Sequence, residues 1–334
     1  MTTAIRLALL AALVWLVPWP APAETVRSGY LKAAPAAPIF IAKEKGYYAA
    51  EGLDVELITF EAAEPVAVAV ASGSLDISLA GATAGFYSLA GQGAMKIIAG
   101  AIHEVPGFQS EAVIASNRAY DAGLTSLKQL NNRSIAVTQV GSALHYSLGL
   151  IAEKYGLDLK SIRVVPTQSN PNSVAAVAGG QVDGAVAPVT FFTPLLEKGG
   201  AKVLGFIGDE TPWQLGVIIT STKMANDHPE TVQRWLRAFR NAARDYHDAF
   251  TGPDGKRADQ PSAPTILAIM AKYIGQSPQQ IDKSIGFVPR GGELDIDDIR
   301  HQVAWFKSQG LLKDNVDADA IMDMRYIVPL SPGH

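Results

Sequence analysis

The chain of 334 residues contains no cysteine, which excludes disulfides, thiolate zinc sites, iron–sulfur clusters and thiol catalysis together. Charge is also sparse: 18% of residues are charged and the net charge is −4, with no basic tract or basic helix face to hold nucleic acid. Signatures of several enzyme classes are missing, namely the Gly-x-Ser-x-Gly elbow, the phosphate-binding P-loop and the dinucleotide Gly-x-Gly-x-x-Gly. His103-Glu104 opens like a zinc His-Glu-x-x-His motif, but residue 107 is Gly, so no metal or cofactor is expected. The acidic group Asp295, Asp297 and Asp298 precedes a helical pattern, where capping and the helix dipole explain it better than acid–base chemistry. An apolar run long enough to anchor in a bilayer is lacking too. The longest, residues 7–17, follows the single cation Arg6 and gives way to Pro18. Ala21-Pro22-Ala23 then fits the small-x-small rule, which predicts a signal peptide over 1–23, cleavage after Ala23 and an exported, periplasmic protein. Cleavage would take the net charge from −4 to −5, since Arg6 is the one charged residue removed.

What is present is a phrase that occurs twice. Residues 66–81 read Val-Ala-Val-Ala-Val-Ala-Ser-Gly-Ser-Leu-Asp-Ile-Ser-Leu-Ala-Gly, and residues 174–188 read Val-Ala-Ala-Val-Ala-Gly-Gly-Gln-Val-Asp-Gly-Ala-Val-Ala-Pro. Each is a helix of small residues, a Gly turn (Gly73, Gly180), an Asp (Asp76, Asp183) and a short apolar strand. Glu-Gly-Leu-Asp-Val at 51–55 precedes the first copy, and Tyr-Gly-Leu-Asp-Leu at 155–159 precedes the second. Two related lobes imply a cleft, and clefts between lobes are where small ligands bind.

Around these phrases, short apolar strands alternate with helical patterns, the mark of an α/β fold whose lobes are each a largely parallel, doubly wound sheet. Helices are predicted over 39–50, 65–72, 83–92, 127–131, 142–154 and 172–179. From 229 onward the chain reads as helical, over 230–249, 262–274, 278–284, 296–309 and 318–322. The first lobe is predicted as 24–114 plus 217–334, with the second, 115–216, inserted between them. Hinges are predicted near 112–117 and 214–218.

Ligands of parallel sheets meet the carboxyl ends of strands, where helix N termini point. Here those loops are small: Lys32-Ala33-Ala34-Pro35-Ala36 after the first strand, Gly81-Ala82-Thr83 after the third, and Gly141-Ser142 in the second lobe. Small side chains admit a ligand to first-turn N–H groups, and Thr83 or Ser142 adds a hydroxyl, unless each serves only as an N-cap. His103 follows an apolar strand at the same level. His145, three residues after Ser142, shares its helix face. Trp213, after Thr211-Pro212, is predicted to line the pocket.

The segment Gly141-Ser142-Ala143-Leu144-His145-Tyr146-Ser147-Leu148 resembles one found in substrate-binding proteins of ABC importers for nitrate, taurine, alkanesulfonates and thiamine precursors. Residues 43–55 resemble that family's first helix and second strand, and Ala71-Ser72-Gly73-Ser74-Leu75-Asp76 its Gly-x-x-Asp segment. The resemblance implies a two-lobed periplasmic-binding-protein fold and a monomer that hands a small solute to an ABC permease and its ATPase. It implies ligand contacts at Lys32–Ala36, at Ala82-Thr83, at Ser142 and His145, and at Pro188–Thr190. These loops contain no Arg, so a sulfonate-like or carboxylate solute and a heterocyclic one are both compatible with them. An enzyme on the same scaffold, such as a lyase or isomerase, and a ligand-presenting sensor are the alternative readings.

Overall fold

A computed structural model of the chain describes residues 23–331. The predicted leader, apart from Ala23, lies outside the described residues. Among those described, no helix is long and apolar enough to cross a membrane. Ten strands form: β1 Glu24–Leu31, β2 Leu53–Phe60, β3 Ile77–Gly81, β4 Met95–Glu104, β5 Glu111–Ser116, β6 Ser134–Val137, β7 Arg163–Pro166, β8 Gly184–Pro188, β9 Ala201–Phe206 and β10 Trp213–Ser221.

The strands divide between two lobes. In the first, β1 and β2 pair in parallel, and β10 lies between β3 and β4, antiparallel to both. Between β1 and β3 side chains take up part of the ladder: Asp76 accepts from the Arg27 N–H at 2.8 Å, and Ser78 Oγ from the Gly29 N–H at 2.9 Å. In the second, the order is β7-β6-β8-β5-β9, with β6 parallel to both neighbours and β5 antiparallel to both of its own. Each lobe thus has one antiparallel strand, and that strand arrives from the other lobe's side of the sequence.

The swap moves the expected boundaries. β5 is bonded wholly within the second lobe and β10 wholly within the first, so borders at 114/115 and 216/217 would cut through strands. The chain crosses instead at 105–110 and 207–212, a few residues before each predicted hinge. There Gly107 N–H donates to Asp209 at 2.7 Å, and a Cβ on Gly208 would fall 2.5 Å from the Val105 carbonyl, so the crossings lie flush.

Helices cover the sheets because their small or apolar faces pack there. The 39–50 pattern becomes two helices, Ala37–Glu44 and Tyr47–Ala50, broken where Gly46 turns left-handed (φ 72°). The 127–131 helix shrinks to a 3-10 turn, Leu127–Gln129. Residues 318–322, expected as a helix, lie as turns beside β4, where Ile97 N–H reaches the Ile321 carbonyl at 2.9 Å; an edge strand there offers bonds that a five-residue helix could not match. The amphipathic Pro229–Phe250 helix buries Trp235, Phe239, Tyr246 and Phe250 under the first lobe. Helix Ile296–Ser308 packs on both lobes: Gln302 accepts from Tyr87 (2.9 Å) on the first, and Asp298 accepts from Tyr146 (3.2 Å) on the second.

Candidate functional site

The repeated phrase has the same physical role in each lobe. Gly73 (φ 76°) and Gly180 (φ 64°) end their helices left-handed, a conformation that favours glycine. Asp76 then accepts from Arg27, and Asp183 accepts from the N–H and hydroxyl of Ser134, both at 2.8 Å. Each Asp ties a strand entering the sheet to the strand beside it. Both lobes therefore present the carboxyl ends of their strands at comparable positions, and those ends face each other.

The lobes are closed on one another. Ala34 N–H donates to Thr190 Oγ1 (3.1 Å), Ala84 N–H to the Gly141 carbonyl (2.8 Å), and Asn170 N–H to the Glu61 carbonyl (3.3 Å). Gln276 Nε2 reaches the Thr190 carbonyl at 2.7 Å, and Lys283 pairs with Glu197 at 2.8 Å. Between them lies a partly open cavity of about 80 Å³. Leu31, Ala33 and Gly81 face it from the first lobe, and Thr138, Ser142 and Pro188 from the second. A wider recess of about 440 Å³ lies beside it at the lobe boundary, next to Lys32, Glu61 and Thr190.

Of the residues singled out by sequence, Ala33, Ser142 and Pro188 line the cavity. Lys32 and Thr190 border the wider recess, and Ala34 and Thr190 bond the lobes together. The others are elsewhere. Ala82 is buried in the core. Thr83 caps helix Ala84–Gly91, accepting from Phe86 N–H at 2.9 Å, while its hydroxyl donates to Glu64. The sequence pattern puts His103 and Trp213 on cleft loops, because it ends the strands short of them. β4 instead runs on to Glu104 and β10 begins at Trp213, so both residues sit inside the sheet. His103 is buried, and burial pushes its pKa below the usual value; Trp213 packs edge-on against Tyr146 at 4.9 Å. His145 does share a helix turn with Ser142, but its Nδ1 accepts from Gly141 N–H at 3.1 Å and its ring meets Trp305 edge-on at 5.4 Å. Burial lowers its pKa to about 4, so it stays neutral at ordinary pH.

The ionisable group that lines the cavity is not among the residues that the sequence pattern singles out. Glu111, first residue of β5, is 2% exposed and its carboxyl accepts from Ser147 Oγ at 2.9 Å. Burial raises its pKa to about 7. Beside it Glu104, the last residue of β4, is 1% exposed, its carboxyl closest to the Ser110 hydroxyl and to the backbone N–H groups of Gly208 and Glu111. Burial first, and the charge of Glu111 second, hold Glu104 protonated well above the ordinary carboxyl range. Two further cavity residues have unpartnered polar atoms, Ser110 Oγ and Asn170 Oδ1. One sequence cue existed: an acidic residue opening the otherwise apolar strand Glu-Ala-Val-Ile-Ala-Ser.

Residues 34–254 match the family model described as NMT1/THI5 like. The chain belongs to that family. Its two-lobed architecture is shared with the alkanesulfonate-binding protein of Xanthomonas axonopodis pv. citri bound to MOPS (TM-score 0.72, 21% identity, covering 91% of this chain and 99% of that one). It is shared also with the periplasmic nitrate-binding protein of Synechocystis PCC 6803 (TM-score 0.70, 16% identity, 89% and 84%). Together these show an α/β periplasmic-binding-protein fold. A Bacillus subtilis (strain 168) protein named for binding aliphatic sulfonates is 26% identical over 210 residues, 61% of this chain and 60% of that one. The chain thus aligns with about three fifths of that relative's length. All three similar proteins are binding proteins.

Proposed function

We propose that this NMT1/THI5-like protein is an exported solute-binding protein that closes two lobes over a small organic solute and delivers it to an ABC permease with its ATPase. The observation that carries the reading is the cavity between the lobes, walled by strand ends of both and flanked by hydrogen bonds that cross between them. Parting of the lobes at the paired crossings 105–110 and 207–212 would widen the cavity to admit a ligand. Recognition by the permease would then depend on the closed shape, which requires a monomer with its cleft rim free. A periplasmic setting agrees with the leader pattern over 1–23.

Binding without turnover is the reading the cavity's chemistry favours. Ser142 Oγ accepts from the His145 N–H at 3.2 Å, and the imidazole accepts from Gly141 N–H, so serine and imidazole are not arranged as nucleophile and base. Small-angle scattering during titration with a solute library tests the proposal. The radius should shrink at saturation and the solute should be recovered unchanged. An unchanged radius with any saturating solute, or conversion of the solute, would overturn it.

A further inference from the structure

The cavity's lining is lopsided in charge. Among the described residues that face it there is no Lys, Arg or His, and one ionisable side chain, Glu111. Asn170 Oδ1, on a residue 2% exposed, accepts no hydrogen bond, and the oxygen of the equally buried Ser110 hydroxyl, whose nearest polar neighbour is the Glu104 carboxyl, accepts none either. Buried polar groups are nearly always paired, so these atoms are waiting for something. What remains of the wall is apolar, including Leu31, Leu79, Ile102 and Leu215.

The first lobe also blocks the seat an anion would take. Helix Ala84–Gly91 points its N terminus toward the cleft, and the Glu64 carboxylate already lies there, bonded to the Thr83 hydroxyl. A Cβ on Gly85 would fall 1.8 Å from Glu64 Oε1, so the carboxylate rests directly on the first turn. The second lobe's helix, Ala143–Tyr155, offers N–H groups to the cavity. A full anion there would share about 80 Å³ with Glu111, and like charges at that range in an apolar setting repel strongly.

Given the solute-binding reading, on which this rests, we infer that the solute is a small organic cation: a compact apolar body carrying an ammonium or amidinium group. The Glu111 carboxylate neutralises the charge. Asn170 Oδ1 and Ser110 Oγ accept the remaining N–H bonds, and the leucine and isoleucine walls hold the body.

Titration calorimetry of the purified chain with isobutylamine, acetamidine, isobutanesulfonate and isobutanol tests this. The amine or amidine should bind one to one, with the sulfonate weaker on the order of 10²-fold. Glu111→Gln should weaken the amine roughly tenfold or more, and Asn170→Leu should do so independently, with melting curves confirming that both variants fold. Amine affinity should rise from about pH 6 to about pH 8 as Glu111 loses its proton. Among the other ionisable groups on elements packed against β5, Glu104 is held protonated, burial disfavours the charged form of His103 and His145, Asp209 and Glu210 face Gly107 N–H and Lys154, Lys202 lies over the Tyr120 ring and Arg118 pairs with Asp183. Sulfonate binding at least as tight as amine binding, strengthening toward low pH, would show Glu111 acting as a protonated donor and overturn the inference. Unchanged amine affinity in both variants would overturn it as well. Either result leaves the solute-binding proposal standing, because a ligand would still have been held; if all four probes fail to bind, this inference falls, whereas the solute-binding proposal is judged by the scattering titration against its own library.

Discussion

The two lobes share a sheet order and a Gly–Asp device, yet they treat the same helix terminus in opposite ways. In the first, the N terminus at Thr83 is filled by the protein's own Glu64. In the second, the N terminus at Ser142 is capped locally by Ser142 Oγ, while Ala143 and Leu144 still face the cavity. Architecture has stayed parallel between the lobes while chemistry has diverged. The repeated residues are those that hold strands together, and the differing residues are those that meet the cleft.

The sharpest test of the shared device is to remove each Asp. Asp183→Ala should cost about 3 kcal/mol by urea unfolding, since it strips two hydrogen bonds from the buried Ser134. Asp76→Ala should cost less, about 2 kcal/mol, because part of its bonding goes to the half-exposed Arg27 side chain. Losses below about 0.5 kcal/mol in both would reduce the equivalence to a likeness of sequence.

Next in size is the carboxyl pair, to which each lobe contributes one member. Glu111 has its pKa raised from 4.5 to about 7, so the folded state holds a proton that the unfolded state has released. The stability this provides is complete below about pH 4.5 and is lost as pH climbs through 7. Glu111→Gln should therefore be the more stable protein at pH 8, by on the order of 2 kcal/mol, with the gap closing toward pH 5. His145, lowered from 6.5 to about 4, works the other way: its contribution is present above 6.5 and lost toward 4. Taking the difference between parent and variant melting points at each pH cancels it. A gap that does not change with pH would mean that Glu111 is ionised throughout.

The divergent caps come third. Ser142→Ala and Thr83→Ala should each cost about 1 kcal/mol, the usual value for an N-cap. Calorimetry should find ligand affinity lowered only by Ser142→Ala, as Thr83 does not line the cavity. His145→Ala should leave affinity nearly unchanged. The smallest effect belongs to Arg118, whose bond to Asp183 is 3.5 Å long and whose side chain is largely exposed. Arg118→Ala should shift stability by about 0.3 kcal/mol, within reach of paired melting curves.

Much of this fold is legible in sequence because it depends on local pattern. Alternating Leu, Val and Leu at 53–57 define β2, and the small-residue helices with their Gly exits recur by composition. Helix Val189–Glu197 escapes such reading because Pro194 lies inside it. Strand ends were the weak point, since register with β10 carries β4 three residues past Ala101 and turns His103 from a loop residue into a core one. Ser142 is legible from the small loop after β6 and from the segment that resembles the importers' binding proteins. Glu111 is hardly so, because an acidic residue opening the apolar strand Glu-Ala-Val-Ile-Ala-Ser does not tell that its carboxyl will be buried. That burial comes from β4, the helix carrying Ser147 and the opposing lobe, which are distant in sequence.

Glu64 leaves this protein one step from a different diet. The half-buried carboxylate stands where a dissolved oxyanion could otherwise settle, so free sulfate or phosphate in the surroundings has no foothold on that wall. Its tenancy is held by one side chain lying on Gly85. Shortening that side chain would uncover a helix N terminus at the lobe boundary, with its Thr83 hydroxyl in place, and the fold itself would need no change.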